Sequence, residues 1–204
     1  MPEIPSAEPA LPSEILHLLR SSKFLHLATS YNDIPNVSLM NYTFIEDDED
    51  PNIPEPCIIV STAQSTQTYK NIAQNPNVAI LIHDWTTAKN FTSPQGAHLS
   101  ALSQLVLQLN QAELSNHSAT LNGTASIVSS SSSSSSSSTS QQANGFANLV
   151  DILKEKHLKN NPEAECFIKP DNIAIIKIVV SKAKISDSTN NIQEFSDLQP
   201  RTSN

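Results

Sequence analysis

Hydrophobic and polar positions follow a readable order of periods along this chain. Ile15, Leu16, Leu18 and Leu19 form an apolar stripe behind Ser13, which predicts a short helix capped by that serine. Lys23–Thr29 (KFLHLAT) alternates as a strand does, Tyr31, Asn32 and Asp33 turn the chain, and Ile34–Ile45 predicts a longer second strand. After an acidic, proline-bearing loop over 46–56 comes a continuous apolar run, Cys57–Val60, read as a buried strand. Hydroxyls and amides follow (Ser61, Thr62, Gln64, Ser65, Thr66, Gln67, Thr68), then Tyr69 and Lys70 on a short helix. Asn75, Pro76 and Asn77 end that helix, and Val78–Ile82 is a further apolar strand.

Beyond Trp85 one helical stripe runs through Leu99, Leu102, Leu105, Val106, Leu109 and Ala112, predicting a helix over 97–114. Leu121–Val128 predicts a strand, interrupted by the ten serines Ser129–Ser138. Phe146, Leu149, Val150, Leu153 and His157 make a second helical stripe. Asn172–Val180 is a β-branched strand, and Lys182–Asp187 adds another. Six or seven strands at hairpin-like spacing, with few helices between them, predict a mainly β fold. The expected form is an antiparallel barrel with peripheral helices rather than a doubly wound sheet. The expected organisation is a flexible leader over 1–11, one domain over 12–190 and a polar tail over 191–204. Within the domain we expect a helical insertion over 86–119 and a disordered serine-rich loop over 129–142.

Composition narrows the function. The hydrophobic share of 38% is low because the serine run and the two termini dilute it. A net charge of −8 argues against nucleic acid, which is bound by neutralising phosphates with Lys and Arg. It also leaves no polybasic patch for an anionic membrane, and no apolar run is long enough to span one. Cys57 and Cys166 stand alone, as thiols do in a reducing compartment, and the N-terminus lacks the regions of a signal peptide. Cytoplasmic residence is expected, with nuclear residence also open.

The three glycines, Gly96, Gly123 and Gly145, spell no phosphate-binding glycine loop. The six histidines show no paired metal-ligand spacing, and neither cysteine has a partner two residues on, so no metal site is expected. No serine sits in a nucleophile elbow. The positive feature is the strand–helix–strand unit over 57–82. A helix N-terminus rich in hydroxyls, with Lys70 one turn in and four residues after Thr66, has the makings of a small anion site. The competing reading is that Ser65 or Thr66 only caps the helix and Lys70 is solvated.

The segments Lys23–Thr29, Ile34–Leu39 (IPNVSL), Ile59–Thr62 (IVST) and Asn71–Ile82 (NIAQNPNVAILI) together resemble the pyridoxamine 5′-phosphate oxidase-related proteins. Gly123–Val128 (GTASIV) and Ile175–Asp187 (IIKIVVSKAKISD) are similar too, and the serine-rich insertion looks most like the fungal homologues. The resemblance implies the FMN-binding split β-barrel, with FMN held at a homodimer interface. It implies Thr62, Thr66, Thr68 and Lys70, with Gln67, around the FMN phosphate, and Asn41 and Ser61 facing the ribityl chain or the ring edge.

The departures are specific. The Ser-Arg-Lys of the oxidases falls on Thr66, Gln67 and Thr68, so both cations are missing there. No Arg or Lys occurs from Ile34 to Ile45. The only arginines are Arg20 and Arg201, so the oxidases' C-terminal Arg-and-His substrate motif is absent. Forked phosphate contacts are arginine's speciality. The resemblance therefore implies an FMN protein, and an oxidoreductase of unknown substrate without that motif. Two alternatives stand beside it. One is a flavin-free dimeric binding module presenting the 97–114 helix. The other is a genuine pyridoxamine phosphate oxidase using Lys177 or Lys182 and a partner subunit.

Overall fold

The computed structural model describes residues 11–46, 53, 55–84, 117–128, 149–187, 190–196 and 198. In chain order these are helix α1 (Ser13–Ser21), strands β1 (Phe24–Tyr31), β2 (Ile34–Ile45) and β3 (Cys57–Ala63), and helix α2 (Gln67–Gln74). Then come β4 (Asn77–His83), β5 (Ser118–Val128), helix α3 (Leu149–Asn160), a 3-10 turn (Pro162–Phe167), β6 (Ile173–Ser186) and β7 (Ile192–Phe195). The expected helix over 97–114 and the serine-rich loop lie outside the described residues.

All strand pairs are antiparallel. The order β3-β2-β1-β4-β5-β6 closes through a β3–β6 pairing into a six-stranded barrel, with β7 added outside on β6. The split-barrel, mainly β architecture expected from the sequence is the one observed. The first hairpin follows from its turn: Asn32 (φ 51°) and Asp33 (φ 63°) are both left-handed, a conformation these two residues tolerate and one that matches strand twist. Alternation then sends Leu25, Leu27 and Thr29 inward, while Phe24, His26 and Ala28 face out.

The barrel interior is filled by Leu25, Leu27, Tyr42, Ile58, Val60, Ile80, Ile82, Leu121, Ile176 and Ile178. Helix α1 closes the end where β1 begins, inserting Ile15, Leu18 and Leu19. The buried Tyr42 hydroxyl lies 2.8 Å from the Leu19 carbonyl and 3.1 Å from that of Ser22, serving the carbonyls that the end of α1 leaves open. Ser13 is the first residue of α1 and makes no cap; Pro12 occupies the cap position, and the Ser13 hydroxyl turns to Glu14. Helix α2 closes the opposite end. A second, smaller core lies outside the barrel, where Leu153 and Val150 of α3 cover Ile45, Cys57, Ile59 and Ile175. Burial on both faces is why β3 reads as an unbroken apolar run.

Strand β6 is one strand, not two. Its register against β5 slips between Asn122 and Gly123, so that Lys182 and Val180 are consecutive partners and Ser181 bulges. Gly123 makes the slip possible, because a Cβ there would sit 2.2 Å from the Val179 carbonyl oxygen. The stretch expected as a polar tail contains β7, which pairs Phe195 with Ala183 and Ile192 with Ser186. The Asp187 carboxylate takes N–H bonds from the backbone and side chain of Asn191 and so turns the chain back. Leu198 then lodges in the barrel core.

Candidate functional site

Adjacent residues of a strand point to opposite faces, and this divides the expected site residues at once. Thr62 faces the barrel interior, like Val60, and its hydroxyl meets that of Thr66 at 2.8 Å. Ser61 faces outward under α3, like Ile59. The two strand residues assigned to one ligand thus leave β3 in opposite directions.

At the start of α2, Thr66 is the N-cap. Its hydroxyl accepts from the Tyr69 N–H (3.2 Å) and donates to the Ala63 carbonyl (2.8 Å). With Thr62 also bonded to it, that oxygen is fully used. Thr68 is buried against β2, bonded to Ser38 (2.9 Å) and to the Asn36 amide (3.2 Å). Gln67 donates to Asn71 (2.7 Å), whose own amide reaches the buried Thr29 hydroxyl (3.1 Å). These polar groups clamp α2 over the barrel mouth. What remains for an anion is the pair of first-turn N–H groups of Gln67 and Thr68, with Lys70 exposed and without a partner among the described residues.

The second group centres on a residue that the sequence reading placed in an apolar stripe. His157 is fully buried between α3 and the outer face of the barrel. Its Nδ1 lies 2.9 Å from the Thr43 hydroxyl of β2, and its Nε2 lies 3.3 Å from the Ser61 hydroxyl of β3. Asn161, one turn on, sends its amide nitrogen to the Tyr42 carbonyl (3.0 Å) and receives the Asn41 amide on its oxygen (3.4 Å). Burial pushes the His157 pKa down to about 4, so the ring is neutral near pH 7. Extending the β2–β3 register one step past Tyr42–Val60 sets Asn41 opposite Ser61. The structure therefore brings Asn41 and Ser61 together, held by His157, Thr43 and Asn161, which sequence reasoning did not assign. The one signal available was a histidine on an apolar helix face, followed four residues later by Asn161.

Beside this pair the outer sheet face turns apolar. Register aligns Leu39, His26 and Leu81 across β2, β1 and β4, with Val37, Ala28 and Ala79 in the next row. Val37, Leu39, Phe24 and Leu81 remain 63, 62, 44 and 40% exposed, and Phe24 is the direct neighbour of Asn41. On the other side of Asn161 a cleft of about 270 Å³ separates α1 from β2 and α3. Arg20 lines it, but its guanidinium grips the Glu46 carboxylate through two bonds of 2.7 and 2.6 Å. Lys177 is likewise held by Glu55 at 2.5 Å, while Lys182 is exposed.

The family profile described as pyridoxamine 5′-phosphate oxidase matches residues 11–174. A pyridoxamine 5′-phosphate oxidase homologue of Schizosaccharomyces pombe is 35% identical, the match covering 90% of each chain. A homologue of Saccharomyces cerevisiae is also 35% identical, over 91% of this chain and 94% of its own. Among solved structures, a heme binding protein from Mycobacterium smegmatis is similar in fold, with a TM-score of 0.57 at 13% identity over 93% of this chain and 59% of that one. Profile, relatives and barrel agree: this chain belongs to the pyridoxamine 5′-phosphate oxidase family.

Proposed function

We propose that this protein binds FMN at the margin of a homodimer interface and acts as a flavin-dependent oxidoreductase on a substrate other than pyridoxamine phosphate. The observation that carries the reading is the position of Asn41 and Ser61. Two hydrogen-bonding side chains, fixed from behind by His157 of α3 and by Asn161 just past its end, border a broad exposed apolar face. Such a face suits a second copy of the chain, and a planar ring at its edge would find polar groups on one side and apolar ones on the other.

The donor set fits FMN in two parts. Asn41 and Ser61 would meet the ring edge or ribityl chain. The N–H groups of Gln67 and Thr68, with Lys70, would hold the phosphate at the positive end of α2. Thr62, Thr66 and Thr68 support that end through their own bonds rather than through hydroxyls turned to the ligand. FMN, when bound, would supply the redox chemistry, and the chain would bind, orient and tune it.

Activity on pyridoxamine phosphate is disfavoured because the one described arginine is locked to Glu46 and Lys177 to Glu55. A flavin-free binding module remains the second reading, favoured by the internal satisfaction of the α2 hydroxyls. Purified protein decides between the two. It should be yellow, or take up added FMN, and release FMN on denaturation. Colourless protein that takes up none overturns the flavin reading.

A further inference from the structure

Fixed partners set the hydrogen-bond directions around His157. The Asn161 amide nitrogen lies 3.0 Å from the Tyr42 carbonyl oxygen and 3.1 Å from that of His157. Rotating the amide would set its oxygen against two acceptors, so nitrogen is the atom that faces them. That same nitrogen, a donor only, lies 3.2 Å from His157 Nδ1. A proton on Nδ1 would confront its N–H groups, so Nδ1 is bare and accepts, above all from the Thr43 hydroxyl at 2.9 Å. A neutral imidazole with bare Nδ1 carries its proton on Nε2. The Nε2–H therefore donates to Ser61 Oγ at 3.3 Å. With a lone pair of Ser61 taken, its own O–H has no acceptor among the described residues. Ser61 is only half-buried, at the edge of the exposed apolar face.

We propose that His157 is a positioning residue that leaves the Ser61 O–H free to donate to a carbonyl oxygen of the bound flavin ring, through the relay Thr43 to His157 to Ser61. The proposal rests on the flavin reading and adds a direction to it. Reduction builds electron density on the ring's carbonyl oxygens, so a donor aimed at one of them holds the reduced form more tightly than the oxidised. The neighbouring Asn41 amide, whose N–H is directed to Asn161, adds a second polar group on the same side.

The experiment has two arms. In the FMN-free full-length protein, ¹⁵N NMR of the His157 ring should show a protonated Nε2 and a bare Nδ1. The opposite tautomer overturns the relay whether or not flavin binds. In the FMN-loaded protein, Ser61→Ala should weaken FMN about 3- to 10-fold, the worth of one ordinary hydrogen bond, and move the midpoint potential to more negative values. His157→Leu should move the potential the same way, and His157→Gln, which can accept from Thr43 and donate to Ser61, should restore most of it. Adding His157→Gln or His157→Leu to Ser61→Ala should change the potential no further, because the histidine acts through that hydroxyl. Unchanged affinity and potential in Ser61→Ala overturn this inference and leave flavin binding standing. Wild-type protein that takes up no FMN overturns both.

Discussion

The Thr43 hydroxyl and His157 Nδ1 lie 2.9 Å apart across 114 positions of chain, and this buried contact joins α3 to the barrel. It carries a pH dependence. Burial lowers the ring's pKa from 6.5 to about 4 in the folded protein, so between those values the unfolded chain binds the extra proton. The contribution is complete above about pH 6.5 and lost as pH falls through about 4. Its size is on the order of 3 kcal/mol. Urea unfolding followed across this range should show wild type losing stability more steeply than His157→Gln, and parallel curves would refute the assignment.

Gly123 permits the β5–β6 slip, and any side chain there meets backbone. Gly123→Ala would force its Cβ against the Val179 carbonyl, which cannot rotate away. A loss of about 1–3 kcal/mol is expected, as for other overpacked sites. Thermal unfolding measures it, and an unchanged Tm would mean that the slip is absent.

How much of this was legible beforehand depends on the range of each cause. The β1–β2 hairpin was readable because Asn32 and Asp33 carry the turn and Leu25, Leu27 and Thr29 alternate locally. The continuous run at Cys57–Val60 showed a buried strand, since both of its faces are covered. The unity of β6 was hidden because Ser181 and Lys182 look like a break, whereas the pairing strand supplies Gly123 and the slip. Strand β7 was missed because Ile-Gln-Glu-Phe is half polar and gains its place from the β6 edge and the Asp187–Asn191 turn. His157 read as one more member of a stripe. Period tells which face of a helix is buried, but not that Thr43 and Ser61 wait beneath it.

The apolar face on β2, β1 and β4 makes its own prediction. Leu39 lies between Val37 and Asn41 on that face and is 62% exposed in the single chain. Leu39→Glu should leave folding almost untouched, because none of the described residues covers it. In a homodimer it would bury a charge against the partner. Sedimentation should then show a dimeric wild type and a mostly monomeric variant with weakened FMN binding. A variant that remains dimeric would remove this face from the interface.

The start of α2 separates the roles of cap and ligand site. Thr66→Ala should cost about 1 kcal/mol of stability through the lost Tyr69 N–H bond. Thr66→Asp retains a capping oxygen for that N–H but loses the donation to the Ala63 carbonyl, so it should recover part of the loss, while it places a carboxylate beside the first-turn N–H groups of Gln67 and Thr68. If those groups hold a phosphate, Thr66→Asp will bind FMN much more weakly than wild type while binding riboflavin, which has no phosphate, nearly as well. Lys70→Ala should show the same selectivity in milder form, up to about fivefold against FMN, because that side chain is exposed and screened. Titration of each variant with both flavins reads the difference directly. Equal losses for FMN and riboflavin would place the phosphate away from α2 and leave Thr66 a helix cap alone.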